Sequence, residues 1–276
     1  MRRAERGSRF ARKRWKSPAH LCYHGLMENK SGDKLLTIFE YVVLQEEPLR
    51  LIDISNGLGL NRATALRFLT TLVNKGYVDQ DPKTLRYRPT YKICALAGHV
   101  NVHEKLREAA HPLLERIAGE FRETVNISVE SRMQAVYIDV VQGLDRSLIT
   151  FQQIGSASPM HCTGNGKLLL LNYSDEQLDE LIRVRGLKQY TEHTFTTKEA
   201  LKGELRRIRE RGYAYDEEER EPGIRCIAFP VYGADGKVIA GVSVSGPKER
   251  MTDEHIGAHL GFLREAVEEL TKKLNQ

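Results

Sequence analysis

Residues 33–88 constrain this chain more than any other stretch, because their hydrophobic period changes in an order that few folds accommodate. Leu35, Ile38, Phe39 and Val42 recur at helical spacing and predict a helix from Asp33 that Pro48 closes. A short helix over Leu51–Leu58 comes next, and Gly59 can take the left-handed backbone of a tight exit. Asn61 stands as the N-cap of a third helix, Arg62 to Lys75, which Gly76 ends. Two β-like pieces, 77–80 and 85–88, are joined by Asp81-Pro82-Lys83-Thr84 and read as a hairpin. Helix, helix, glycine turn, helix, hairpin is the order of a winged helix-turn-helix.

The third helix carries the chemistry. Leu66, Leu69, Leu72 and Val73 are expected to form its buried stripe, with Asn61, Arg62, Thr64, Arg67 and Thr71 largely on the other side. A helix that reads DNA needs a packed back to fix its angle and a polar front to meet base edges. Arg can fork onto guanine, Asn onto adenine, and Thr can reach a methyl group or a phosphate. Arg86 and Arg88 alternate along the hairpin and are expected to point together at backbone phosphates. An amphipathic helix alone is usually just a solvated face. The glycine turn before it and the basic hairpin after it reverse that reading.

Composition narrows the rest. A chain of 276 residues suggests roughly two domains. No run approaches ~18 consecutive apolar residues, so no membrane span is expected. The net charge of +5 is uneven. Residues 1–26 hold eight basic side chains against Glu5 alone, and the remainder is slightly acidic. That leader reads as a phosphate-binding arm, or as residues preceding a start at Met27. Cys22, Cys94, Cys162 and Cys226 are too scattered for a disulfide framework or a metal knuckle, and they suit a reducing, cytoplasmic compartment. His99 and His103, like His255 and His259, are four apart, but neither pair has a third ligand at a telling spacing. No metal or cofactor is expected.

Residues Ile93 to about Ala110 read as a connecting helix, followed by Pro112 and a helical piece over Leu113–Ala118. The organisation is then a basic leader (1–30), a DNA-binding domain (31–92), a linker helix (93–110) and a ligand domain (111–276). In that last part, residues 125–129, 135–141, 224–231 and 238–245 read as strands, and Asp253 to Leu274 as a closing helix. Ser174 with Gln177, and Thr196 with Glu199, look like capping boxes. Hairpins without strict βαβ units predict an α+β domain with an antiparallel sheet covered by helices.

Three features of this half converge on a small acidic ligand. Thr163-Gly164-Asn165-Gly166-Lys167 precedes an apolar run, and free amides at such a helix start attract anions. Ser243 and Ser245 alternate with Val242 and Val244, so both hydroxyls share one side of a strand. Cys226 shares a face with Ile224 and Ala228. A thiol enzyme using Cys226 is the alternative. It is the weaker one, because His161 adjoins Cys162 on a chain where neighbours point apart, and no GxSxG, HExxH or dinucleotide fingerprint is present. The acidic run Asp216–Glu219 reads as a solvated turn.

From about residue 33 to its end the chain resembles the IclR family of bacterial transcription regulators. The matching stretches include Gly57-Leu58-Gly59-Leu60-Asn61-Arg62-Ala63-Thr64, Gly76-Tyr77-Val78, Pro159-Met160-His161-Cys162, Gly212-Tyr213-Ala214, Gly223-Ile224-Arg225-Cys226-Ile227-Ala228 and Ser243-Val244-Ser245-Gly246-Pro247. The resemblance implies an N-terminal winged helix, a linker helix and a GAF-like effector domain. It also implies a homodimer or dimer of dimers on a palindromic operator, and repression controlled by a small keto, hydroxy or sugar acid. Carried over residue by residue, the effector contacts fall on Gly164, Asn165, Asp216, Ile224, Cys226, Ser243 and Ser245. Asn165 stands where relatives have a small apolar residue, and its amide is expected to add a hydrogen bond to a hydroxylated acid.

Overall fold

The computed structural model describes residues 29–100, 103–143 and 152–276; most of the basic leader and Cys22 lie outside them. The chain divides into two compact units, residues 1–101 and 102–276.

In the first unit, α1 (Lys30–Val43) is capped by the Asn29 side chain, which accepts from the amides of Ser31 and Gly32. β1 (Leu49–Arg50), α2 (Leu51–Leu58), α3 (Arg62–Asn74), β2 (Val78–Gln80), β3 (Arg86–Pro89) and α4 (Lys92–Ala97) follow. Ile38, Val42, Ile54, Phe68, Leu69, Leu72, Val78 and Tyr87 form the core. Gly59 and Gly76 both adopt positive φ, at +65° and +72°, where a β-carbon would be strained. The winged helix-turn-helix order is therefore present.

Three details differ from expectation. α1 stops at Val43, short of Pro48, and the residues after it form β1, which pairs with the wing through Leu49↔Tyr87 and Arg50↔Arg86. Two residues are too few to show an alternation, so β1 was invisible in the sequence. Leu66 is 45% exposed and Val73 only half-buried; the packed back of α3 is Ala65, Phe68, Leu69 and Leu72. Leu66 could be misread because three- and four-residue steps tolerate a rotation of one position, and Phe68 claims the inward direction.

The second unit contains α5 (Glu104–Phe121), β4 (Thr124–Ser131), β5 (Gln134–Val141), β6 (Ala157–Ser158), α6 (Gly164–Leu169), α7 (Asp175–Arg185), α8 (Lys198–Arg211), β7 (Ala214–Glu217), β8 (Ile224–Tyr232), β9 (Val238–Pro247) and α9 (Asp253–Leu274). The strands form one sheet in the order β6-β5-β4-β9-β8-β7, with every neighbouring pair antiparallel. The expected single helix over 93–110 is instead α4 and α5, and α5 runs through Pro112 to Phe121. Proline removes one amide from the ladder, but Leu106, Ala110, Leu113, Leu114 and Ile117 keep one buried stripe across it. The cap of α8 is Thr197, whose hydroxyl accepts from Ala200, and not Thr196.

Period-two alternation gives this sheet two unlike faces. Val125, Ile127, Val129, Ile227, Phe229, Val242 and Val244 join α5 and α9 in the larger core. The opposite face carries Asn126, Ser128, Asp216, Cys226, Ser243 and Ser245, and it too is buried. α6 lies against it so closely that a β-carbon on Gly164 would meet that of Ala228 at 2.9 Å. A buried polar face needs internal partners, and those partners build the site.

Candidate functional site

The outward side of α3 is a cationic and apolar mixture. Arg62, Ala63, Leu66, Arg67, Thr70, Thr71 and Asn74 are exposed, and the Arg67 guanidinium lies 4.9 Å from the Phe68 ring centroid. Asn61 caps the helix, its side-chain oxygen accepting from the Thr64 amide at 2.8 Å, and Thr64 is half-buried in the first turn. Thr70 and Thr71 donate their hydroxyl protons to the carbonyls of Leu66 and Arg67 and present methyl groups and acceptor lone pairs outward. Leu66 and Thr70 were missed as front residues.

The two wing arginines differ. Arg88 is exposed and pairs with Asp79 at 3.1 Å, an exchangeable contact at that exposure. Arg86 donates to the Pro48 carbonyl at 2.7 Å and is half-buried. The pairing of β1 with β3 brings Pro48 beside Arg86, so one arm of its guanidinium ties the two strands together.

On the polar face of the sheet, register places the expected effector residues in one patch. Cys226 pairs with Asp216 on one side and Ser245 on the other, and Ser243 pairs with Asn126. Ile224 is half-buried two residues from Cys226 on the same face. Asn165 donates to Asn126 Oδ1 at 2.8 Å and to Ser128 Oγ at 3.1 Å. Both amide protons are thus spent inside the protein, which corrects the expectation that this amide is left over for a ligand. Asn165 acts as a brace: by holding Asn126 Oδ1 it fixes which way the Asn126 amide faces. Its own Oδ1 is buried without a hydrogen-bond partner, against Gly241.

The acidic run is not a solvated turn. Asp216 and Glu219 are both 4% exposed, and in that run only Glu217 is exposed, paired there with Arg225. Asp216 accepts from the Glu219 amide at 2.8 Å, and burial together with the Glu219 charge pushes its pKa up to about 7. Burial also raises Glu219, against the pull of Lys167, which is itself 0% exposed and ion-paired to it. Neither Lys167 nor Glu219 was recognised as buried, because nothing in the local pattern says which polar residues a distant helix will cover.

Two sites of interest were missed. Gln152, half-buried, accepts from Asn126 Nδ2 at 2.8 Å and donates to Ser245 Oγ at 3.1 Å. Arg220 lies 4.1 Å from the Tyr190 ring centroid, and its charge lowers the pKa values of Tyr137, Cys162 and Tyr190 against the stronger effect of burial. Burial, reinforced by Asp216, raises the Cys226 thiol well above its usual range, so it stays protonated. A neutral buried thiol is a poor nucleophile. His161 donates its Nε2–H to the Lys188 carbonyl at 3.0 Å, and burial lowers its pKa.

A pH test follows from Asp216. Its folded-state pKa lies above its unfolded value, so the unfolded chain releases this proton first and stability is lost as pH climbs from about 4 to 7. Asp216→Asn keeps the acceptor oxygen and removes that cost. The melting temperature of the variant is expected to exceed that of the parent most at pH 8.5, with the gap shrinking through pH 5 and closing below pH 4. A gap that does not widen with pH would contradict the buried, proton-holding carboxyl.

Comparison with known proteins covers both units. The family described as IclR helix-turn-helix domain matches residues 31–82, and that described as Bacterial transcriptional regulator IclR C-terminal matches residues 98–272. The HTH-type transcriptional regulator XynR of Escherichia coli is 30% identical over 245 residues, covering 89% of this chain and 97% of that protein. The transcriptional repressor IclR of Escherichia coli is 30% identical over 261 residues, covering 94% and 95%. Among solved structures, the IclR of Thermotoga maritima superposes with a TM-score of 0.75 at 31% identity, covering 89% and 99%. An IclR homologue from Microbacterium hydrocarbonoxydans, complexed with 4-hydroxybenzoate, has a TM-score of 0.72 at 21% identity, covering 88% and 98%, and shares the fold.

Proposed function

We propose, from the premise that this chain belongs to the IclR family of DNA-binding transcriptional regulators, that it is a repressor controlled by a small organic acid. Family members are regulators and not enzymes, which leaves the protonated Cys226 thiol a binding rather than a catalytic part. Among the described residues no helix is long and apolar enough to cross a membrane.

In this reading Arg62 and Arg67 meet bases or groove phosphates, Ala63 and Leu66 take thymine methyl groups, and Arg88 exchanges Asp79 for a backbone phosphate. Asn61 and Thr64 set the start of the helix, and Arg86 holds the wing in place. The chain acts as a homodimer or dimer of dimers, and its two-fold symmetry calls for a palindromic operator.

The acid occupies the polar face of the sheet, beside the first-turn amides of Gly164 and Asn165 and the side chains of Asp216, Ile224, Cys226, Ser243 and Ser245. The observation that carries this reading is the burial of Asn126, Ser128, Asp216, Ser243 and Ser245 on one face. Polar groups gathered there cost stability unless paired, and a site for a small polar ligand is a function that repays it. The structural neighbour with 4-hydroxybenzoate supports a carboxylic acid as the class. Control then requires that the acid bind two dimer geometries with different affinity.

Operator binding measured against salt tests the DNA half. The log–log slope is expected to be about −0.9 per phosphate neutralised. A flat salt response would contradict the mechanism. A calorimetric screen of organic acids tests the other half, with acid-dependent loss of operator binding as the expected result.

A further inference from the structure

The polar face contains a side chain that already does what a carboxylate ligand would do there. The Gln152 carboxamide bridges two diagonal neighbours on adjacent strands, Asn126 on β4 and Ser245 on β9. It accepts from Asn126 Nδ2 through Oε1 and donates to Ser245 Oγ through Nε2. Asn126 cannot turn its amide to suit another partner, because its Oδ1 is held by Asn165. Asn126 Nδ2 is therefore a fixed donor. Ser245 is adaptable, since a hydroxyl rotates to donate or accept.

The geometry points to Gln152 as the resident occupant of the carboxyl-binding position, and to a small monocarboxylic acid as the ligand that replaces it. This rests on the reading of that face as the acid site. A carboxylate is planar like a carboxamide and has the same span. Placed between Asn126 and Ser245, one oxygen accepts from Asn126 Nδ2 and the other from the Ser245 hydroxyl. Once Gln152 has left, the Ser245 hydroxyl turns from acceptor to donor, giving its proton to the ligand in place of its contact with the Cys226 side chain. Both new hydrogen bonds end on a charged acceptor, whereas both old ones joined neutral groups, and charge-assisted bonds are the stronger kind. The exchange thus favours acids over their amides.

Gln152 adjoins residues that are themselves held to the sheet. The residues just after it are fastened to β5: the Gly155 amide donates to the Tyr137 carbonyl, and the Tyr137 amide donates to the Ser156 carbonyl. An acid that takes the place of the carboxamide ends the Gln152 hydrogen bonds, while those of Gly155 and Ser156 to β5 can persist.

The test compares the full-length protein with its Gln152→Ala and Gln152→Glu variants, by calorimetry with pyruvate, glycolate, glycerate and 4-hydroxybenzoate, and with glycolamide as the neutral control. Losing the internal competitor is expected to tighten binding of the responsive acid roughly 3- to 10-fold in Gln152→Ala, the range of one to two modest hydrogen bonds. Gln152→Glu, which tethers a carboxylate in the same place, is expected to weaken it by at least as much. Glycolamide is expected to bind neither form. Equal or weaker acid binding by Gln152→Ala, with the parent still binding, would overturn the inference and leave the acid reading intact. Absence of acid binding in parent and Gln152→Ala alike would overturn the acid reading, and this inference with it. Melting temperatures within a few degrees of the parent confirm that the half-exposed position has been changed without unfolding the unit.

Discussion

Lys167→Met is expected to destabilise the C-terminal unit by about 3–5 kcal/mol, the cost of leaving a buried charge without its partner. The ammonium is wholly enclosed, paired with Glu219, 4.0 Å from Glu204 and 5.1 Å from the centroid of the Phe195 ring. Methionine fills nearly the same volume, so the loss is electrostatic rather than a cavity. Glu204 keeps Arg207 and Arg211 as partners. Glu219 keeps none of comparable strength among the described residues, and one of its oxygens already has no hydrogen-bond partner. Its escape is to hold a proton, which burial already favours. The loss is therefore expected to be smaller at pH 5 than at pH 8, and denaturant titration at both values measures it. Equal, small losses at both would mean that the ion pair contributes little.

The second large effect concerns DNA. Arg62→Ala with Arg67→Ala is expected to weaken operator binding by about 100-fold or more, at ~1–3 kcal/mol for each arginine that forks onto a base. Both side chains are exposed, and Arg67 gives up only its contact with the Phe68 ring, so folding should be retained. Leu66→Ala is expected to act differently. It removes an apolar contact and no charge, so it should relax preference at one base pair while leaving the salt slope unchanged. Arg86→Ala should lower stability through the lost tie to Pro48 before it affects affinity. Melting curves beside mobility-shift titrations separate these cases. If the double variant bound the operator as tightly as the parent, α3 would not be the reading helix.

Much of the first unit was legible because its signals are local. Asn61 caps three residues ahead, Gly59 and Gly76 solve backbone problems at their own positions, and the hairpin turn is set by the Asp81 side chain accepting from the Lys83 and Thr84 amides. What failed there was also instructive. β1 is two residues long, and its existence depends on Tyr87 and Arg86 arriving from the wing.

In the second unit the alternation of Val125-Asn126-Ile127-Ser128-Val129 and of Val242-Ser243-Val244-Ser245 announced strands and sorted their side chains into two sets. A period of two states that the sets face apart. It is silent on whether the polar set meets water or another layer. That was decided by α6 settling on the polar side, and by Lys167, carried on that helix, meeting Glu219 from a turn 52 residues away. Asp216 became a proton-holding group only through that enclosure. Gln152 had no motif at all, and it reached Ser245 across 93 residues of chain.

The chain's own order of residues determined its helices, caps, turns and strands, because each depends on neighbours within a few positions. Burial of charge and the partners of buried polar groups belong to the tertiary structure, because solvent is excluded only by segments that meet after the chain has folded.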